Sequence, residues 1–372
     1  MKMAKFAMVP LNECVEEMFI GPFGSSLKSE CFVDEKEAFC MVYEQKHAIQ
    51  KTMDVETRYI NESKYKELQR FNVKSGDILV SCRGTIGETY IVPENAPLGV
   101  MHPSVMKIRL KEGIYDKYYF NKLLKSRLKK HEAEANGSGI KMAISATELG
   151  KELFPVPTIE EQIKIKQELS LVETLIIKRK KELEELDNLI KSRFVEMFGD
   201  KGENPNRYNE DTLGNLYKFQ YGKGNNIPED KGEYPCYGSN GIVGHHTEFN
   251  SEDAPIIGHI GAYAGIVNWG EGKHYVTYNG VICKLKTDRI NPIYGFYLLQ
   301  QQDFNRVATK GGGQPFVSYG DLEAPIVVVP PIDVQNDYAT FANQVTKLKF
   351  EVQKSLDETQ ILMDSLMQEY FG

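Results

Sequence analysis

An internal duplication constrains the fold of this chain more than any other feature of the sequence. Displacing the sequence by 173 residues aligns 156–199 with 329–372 without a gap, and 14 of the 44 positions are identical. The matches include Pro157/Pro330, Ile159/Ile332, Gln162/Gln335, Leu183/Leu356, Glu185/Glu358, Leu189/Leu362, Ser192/Ser365, Phe198/Phe371 and Gly199/Gly372. Each copy opens on a proline-bearing strand end, 153–157 or 326–331. Each then runs without Pro or Gly to a terminal Phe-Gly. Proline at the start and glycine just past the end are helix boundary signals.

In the first copy Leu169, Ile176, Leu183, Ile190 and Met197 recur every seven residues. Ile165, Val172 and Leu186 partly fill a companion column that Arg179 and Arg193 interrupt. In the second copy Tyr338, Phe341, Val345, Leu348 and Val352 follow 3-4 spacing, and Leu356, Met363, Leu366 and Tyr370 continue it after a one-residue slip. A narrow apolar seam on so long a helix calls for a coiled-coil partner. Two seams in one chain predict that the helices pair with each other. Packing each separately on its own domain would leave the seam longer than a small domain can cover.

The segments ahead of the helices echo one another more faintly. Leu11–Gly21 resembles Leu213–Gly222, and Gly84-Thr85-Ile86-Gly87 parallels Gly261-Ala262-Tyr263-Ala264-Gly265. Residues 105–110 parallel 281–286, and the turn 137–141 parallels 311–315. Short alternating strands such as 77–81 and 255–258, punctuated by Gly and Pro, with helices at Tyr118–His131 and Tyr294–Arg306, predict mixed α/β (α+β) domains. The expected organisation is domain 1–155, helix 156–200, domain 201–329, helix 330–372, a pseudo-twofold repeat.

The chain's 372 residues suffice for two cores. No apolar run approaches the ~18 residues that span a bilayer, and 1–5 lead into no signal-peptide core. Six scattered cysteines without a CxxC pair fit a reducing cytosol. A cytoplasmic protein with no membrane partner is the expectation. The net charge of −7 argues at first against nucleic acid, but it is unevenly spread. Residues 1–155 carry 23 Lys+Arg against 21 Asp+Glu, 156–200 carry 8 against 10, 201–329 carry 11 against 14, and 330–372 carry 3 against 7. The most acidic segment per residue is the second long helix.

The helix starts Pro155-Val156-Pro157-Thr158-Ile159-Glu160-Glu161-Gln162 and Pro330-Pro331-Ile332-Asp333-Val334-Gln335, with the Phe-Gly ends, resemble the repeated regions of Type I restriction-modification specificity subunits. Gly21-Pro22-Phe23-Gly24-Ser25-Ser26-Leu27-Lys28 is similar to a turn in many of their target-recognition domains. The segment 232–241, Gly-Glu-Tyr-Pro-Cys-Tyr-Gly-Ser-Asn-Gly, resembles a turn of a second class. The resemblance covers essentially the whole chain. It implies two target-recognition domains separated by an antiparallel coiled coil of the two long helices, each domain reading half of a bipartite, asymmetric site in double-stranded DNA. It implies a non-catalytic subunit that docks methyltransferase (modification) subunits and a restriction/translocase subunit. S-adenosylmethionine and ATP are expected only on those partners, and this chain is expected to carry no cofactor. Forty helical residues would span about 60 Å, a ruler longer than one turn of B-DNA.

Base reading needs donors and acceptors on loops. The candidates in the first domain are Ser25, Ser26, Lys28, Gln45, Lys46, Arg83, Thr85, Ser138 and Lys141. In the second they are Tyr237, Ser239, Asn240, Tyr263, Asn279, Lys310 and Gln314. Ordinary hairpins and solvated surface are the competing readings of the Gly-rich turns and lysines, and Tyr237 and Tyr263 are equally readable as core aromatics. The glycine runs lack the GxxxxGK[ST] pattern of a nucleotide loop. His245, His246, His259, His274, Cys236 and Cys283 match no standard zinc spacing, so no metal is expected. No nuclease, methyltransferase or helicase motif stands out. The other function class is a scaffold, in which paired helices hold two protein-binding domains and DNA plays no part.

Overall fold

A computed structural model describes residues 6–83, 85–138 (130–138 as helix backbone), 145–227, 232–308 and 313–372. The chain divides into two units, one of Met1–Lys178 with Leu356–Gly372 and one of Arg179–Ser355.

In the first unit, strand Ala7–Pro10 pairs antiparallel with Leu153–Val156, closing the domain where the chain enters and leaves it. An antiparallel sheet has the order Val15–Ile20, Val105–Leu110, Ile78–Ser81, Thr89–Ile91. A second small sheet pairs Cys40–Tyr43 parallel with Gly99–Met101, flanked by Tyr59–Ile60 and Asn72–Val73. The second unit repeats the plan. Asn209–Thr212 pairs with Ile326–Val329. Its sheet begins Tyr217–Tyr221, Gly280–Leu285, Ser251–Gly258, Val267–Val276 and extends through Tyr234–Gly238 to Gly241–His246. The first four strands keep the order seen in the first unit, and Tyr234–Gly238 joins by a parallel pairing. The two domains are therefore one fold with different edges.

Two helices depart from expectation. The first runs over Lys117–Ser138, so Gly137 and Ser138, expected in a turn, lie in helix. Asp116 caps its start, accepting from Tyr119 N at 3.0 Å. Tyr119, Phe120, Leu123, Leu124 and Leu128 supply its buried face. The second stops at Gln301 and resumes as Phe304–Val307, because Asp303 takes a left-handed backbone (φ 48°).

Each long helix spans 40 residues, Ile159–Phe198 and Ile332–Phe371, and the helices contact each other as an antiparallel coiled coil. Within the second unit Lys349 pairs with Asp187, and Tyr338, eleven residues earlier, reaches Ile190 and Phe194. The residue number thus rises on one helix as it falls on the other. Burial corrects the predicted second seam. Tyr338, Ala342 and Val345 are enclosed, but Leu348 is 56% exposed and Lys349 takes the inward position. The inward set Tyr338, Ala342, Val345, Lys349, Val352, Leu356, Thr359, Met363, Leu366 and Tyr370 keeps 3-4 spacing without a slip. The apparent slip comes from Phe341 and Leu348, whose larger apolar side chains displace Ala342 and Lys349 from the pattern. Polar groups in a seam lower stability and fix register.

The duplicated glutamines lock each domain to its helix. Gln162, fully buried, accepts from Asp116 N at 2.8 Å and donates Nε2 to Ile114 O and Pro157 O, both at 2.9 Å. Gln335, also fully buried, accepts from Asn291 N at 2.8 Å and donates to Arg289 O at 2.9 Å and Pro330 O at 2.8 Å. Tyrosines from non-equivalent positions complete the joint: Tyr115 donates to Pro155 O at 2.8 Å, and Tyr294 to Val328 O at 2.9 Å. The Phe-Gly ends are anchors too. Phe198 packs against Tyr294 and Tyr338 with ring centroids 4.9 and 5.5 Å apart, and Phe371 lies 5.4 Å from Tyr119.

Replacing either glutamine with alanine orphans one buried and two half-buried backbone groups, a buried orphan costing about 1–3 kcal/mol. Gln162→Ala and Gln335→Ala are each expected to destabilise the protein by at least ~2 kcal/mol in urea unfolding. A loss below ~0.5 kcal/mol in both would show the lock to be incidental.

Candidate nucleic-acid interface

In the first unit, backbone hydrogen bonds gather three loops around His102–Ser104. Gly21 N donates to Val105 O, Cys82 N to Ser104 O, and His102 N to Tyr43 O, each at 2.9 Å. A side chain at Gly21 would sit 2.3 Å from His102 O, so the turn that follows can start only from glycine. That turn is a 3-10 helix, Gly24–Ser26, pinned by Leu27, which is buried with Cys40, Val42 and Ile60. Ser25 and Lys28 are exposed and Ser26 is half-buried. Beside them Phe23 is 87% exposed. Arg83 and Thr85 stand exposed on the hairpin between Ile78–Ser81 and Thr89–Ile91.

Gln45 and Lys46 open the short helix Gln45–Gln50, and neither is presented as expected. Gln45 is half-buried with its Oε1 enclosed, and Lys46 pairs at 2.9 Å with the buried Glu44. Arg58, which the sequence reading missed, pairs with the same carboxylate and covers the Phe32 ring at 4.1 Å. Burial opposes ionisation of Glu44, but hydrogen bonds from Arg58 and Lys46 outweigh it and hold the carboxyl below its usual range. His102 is pushed down chiefly by burial, with Glu44 opposing and Arg58, Arg83 and Lys46 reinforcing. Sequence could not reveal this, because Glu44, Arg58 and His102 converge only through the sheets.

The second unit brings most of its candidates to one end of the sheet. Ser239 and Asn240 form the tight turn between Tyr234–Gly238 and Gly241–His246. At Gly258 a Cβ would lie 2.3 Å from Tyr263 O and 2.6 Å from Ser239 O, so this glycine lets the two loops close over the strand end. His259 N donates to Asn279 O at 2.8 Å, Val317 N to His259 O at 3.0 Å, and Gly261 N to Pro315 O at 2.8 Å. Asn240, Tyr263 and Gln314 are exposed, and Asn279 is half-buried. Tyr237 is not part of this surface. It is buried beside Ile256, Val276 and Ile282, with its ring edge-on to buried His274 at 5.2 Å. Its strand is covered on both faces at this point, Cys236, Tyr237 and Gly238 all being buried. Lys141 and Lys310 lie outside the described residues, as does the side chain of Ser138.

An aromatic cluster that the sequence reading did not assemble occupies the same end. Tyr221 lies 4.3 Å from both Tyr319 and His259, and His259 is edge-on to Tyr278 at 5.2 Å. Phe316 bridges to Ile260 beside them. The contributing segments 222–227, 238–246, 258–268, 275–281 and 313–320 contain no Asp or Glu, in a chain that holds 52. In the first unit 21–28, 82–87 and 102–104 are equally free of them, and the remaining segment, 43–46, holds one, Glu44, paired with Lys46 and Arg58. A surface kept clear of carboxylates in an acidic protein suits a polyanion. That signal is visible in sequence only once it is known which segments meet.

The sequence profile described as "Type I restriction modification DNA specificity domain" matches residues 34–188 and 209–359. A curated relative, the specificity subunit of the Type I restriction enzyme EcoprrI of Escherichia coli, is 32% identical over 152 residues. That stretch is 37% of this chain and 37% of the relative, so the match spans well under half of its length. The crystal structure of the Type I restriction-modification S subunit from M. genitalium aligns over 99% of this chain and 96% of its own, with TM-score 0.60 and 17% identity. A structure solved for complex assembly and conformational transition of the type I R-M system aligns over 98% and 97%, with TM-score 0.59 and 14% identity. At such identities the likeness is one of fold.

His47, His102 and His274 are each held below the ordinary histidine value of 6.5, with burial the largest cause. They fold neutral, whereas the unfolded chain takes up protons as the pH falls through that value. Their contribution is therefore complete above about pH 6.5 and is lost progressively below it. Glu17 and Glu44, held low, add a further loss at more acidic pH. The thermal midpoint is expected to be nearly flat from about pH 8 to 7 and to fall between about 6.5 and 5. A rise over that interval would contradict the neutral assignment.

Proposed function

This chain belongs to the Type I restriction-modification DNA specificity family, and on that premise we propose that its two units read the unlike halves of an interrupted DNA site. The observation that carries the reading is a pair of carboxylate-poor loop faces on one repeated fold, built from different residues, with the two carboxylates beside them engaged, Glu44 by Lys46 and Arg58 and Asp321 by Ser318. A shared scaffold positions both faces in the same way, and unlike side chains on them make the two half-sites differ. Ser25, Lys28, Arg83 and Thr85 act in the first unit, and Ser239, Asn240, Tyr263, Asn279 and Gln314 in the second. The long helices set the number of unread base pairs by their length.

Docking of methyltransferase subunits has its own support. Leu175 and Ile177 are 40% and 67% exposed, and Leu348 and Phe350, at the same offset of 173 residues, are 56% and 68% exposed. An apolar pair left open at equivalent places on both helices suits one kind of partner bound twice. Methyl transfer from S-adenosylmethionine and ATP-driven restriction are then the work of partner subunits, with this chain supplying recognition. No described helix is long and apolar enough to cross a membrane.

Sequencing that detects modified bases, with and without this gene, is expected to show one interrupted, asymmetric motif methylated only when the gene is present. Uniform binding of all duplexes by the reconstituted methyltransferase would refute the reading. Ile177→Glu and Phe350→Glu are each expected to remove one methyltransferase subunit from the complex, read as a mass change by light scattering. Full assembly of both variants would refute the docking assignment.

A further inference from the structure

The two faces differ in kind. Among the described residues, the segments 222–227, 238–246, 258–268, 275–281 and 313–320 of the second unit offer one Lys or Arg, Lys223, and no carboxylate, and the adjoining Asp321 is engaged by Ser318. Its open surface is aromatic: Tyr263, Tyr278, Phe316 and Tyr319 are 48, 46, 39 and 37% exposed. The first unit instead presents two exposed cations, Lys28 and Arg83, beside a single exposed ring, Phe23, and adds the partly exposed Arg58 guanidinium.

Resting on the reading of the chain as two half-site readers, we propose that the half-sites are held by different physics. The first unit grips its half by charge, through Arg83 and Lys28. The second packs Phe316 and Tyr278 against apolar base and sugar surface, with Tyr221, Tyr319 and His259 as rigid backing.

Phosphate neutralisation releases counterions and makes binding salt-dependent, and a face with one cation among its described residues has little of this to offer. An aromatic ring can press on a thymine methyl or wedge at a deformed base step, contacts that salt barely weakens. The backing rings and the loop backbone are already held in place. Tyr319 stacks on Tyr221 at 25°, and its hydroxyl accepts from Tyr221 N at 3.3 Å. Tyr278 N donates to Gly224 O at 2.8 Å, and the Phe316 backbone is tied through Val317 N and Pro315 O to the 259–261 loop. The Tyr278 ring, set against Tyr221 and His259, has little rotamer freedom left to lose on binding. The scarcity of carboxylates, with Asp321 engaged by Ser318, favours a polyanionic duplex over a protein ligand for this patch.

The test uses the whole chain assembled with its methyltransferase subunits and a duplex carrying the methylated motif, titrated across salt concentration. Arg83→Ala is expected to shallow the slope of log affinity against log salt by about 0.9. Phe316→Leu and Tyr278→Ala are each expected to weaken cognate binding about tenfold with the slope unchanged, and to flatten base preference in one half-site only. Leucine keeps the apolar volume at 316, so an unaltered melting midpoint separates this loss from misfolding. Wild-type discrimination with indifferent aromatic variants, or aromatic variants that shallow the slope as Arg83→Ala does, overturns the inference alone. A wild-type complex that binds every duplex equally overturns the half-site reading beneath it and the inference too.

Discussion

Two buried glutamine side chains govern how this protein holds together. Gln162 and Gln335 sit one turn inside the long helices, and each satisfies three backbone groups where strand, helix start and neighbouring loop meet. An amide suits this position because it offers an acceptor and two donors at fixed angles. Apolar side chains would leave buried peptide groups without partners, and a shorter amide would not reach them. Through this joint a flexible domain boundary becomes a fixed one, so the helix direction is set by the domain it leaves.

The same joint appears in both units while the loop faces diverge, and this division of labour explains the pattern of repetition. Residues 156–199 and 329–372 match at 14 positions because they perform one structural task twice. The sheets keep strand order but not sequence, since hydrogen bonding and alternation fix a sheet with many side-chain choices. The loops match least. In the first unit they enclose a carboxylate between two cations, and in the second they assemble aromatic rings around His259.

The long helices carry two surfaces, and Leu348 shows how they become confused in one dimension. Leu348 fits a 3-4 pattern with Val345 and Val352, yet it points out and Lys349 points in. Lys349 tolerates the seam because Asp187 meets its ammonium group there. The displaced leucine joins Phe350 in an exposed apolar pair, which Leu175 and Ile177 repeat. A pattern search weights hydrophobicity alone and so assigns such a leucine to the core.

The duplication, the helix boundaries marked by proline and Phe-Gly, and the mixed α/β character were legible in the sequence, because they rest on periodicity and on residues with narrow backbone preferences. The turn at Gly21–Lys28 and the hairpin at Ser239–Asn240 were legible for the same reason. Tertiary structure alone decided that Tyr237 is buried, that Lys46 is tied to Glu44, and that Tyr221, His259, Tyr278 and Tyr319 form one cluster. Each of these depends on which strand ends lie side by side. Local sequence records a residue's own conformational preferences, but not the identity of the neighbour, distant in the chain, that satisfies its charge or covers its ring.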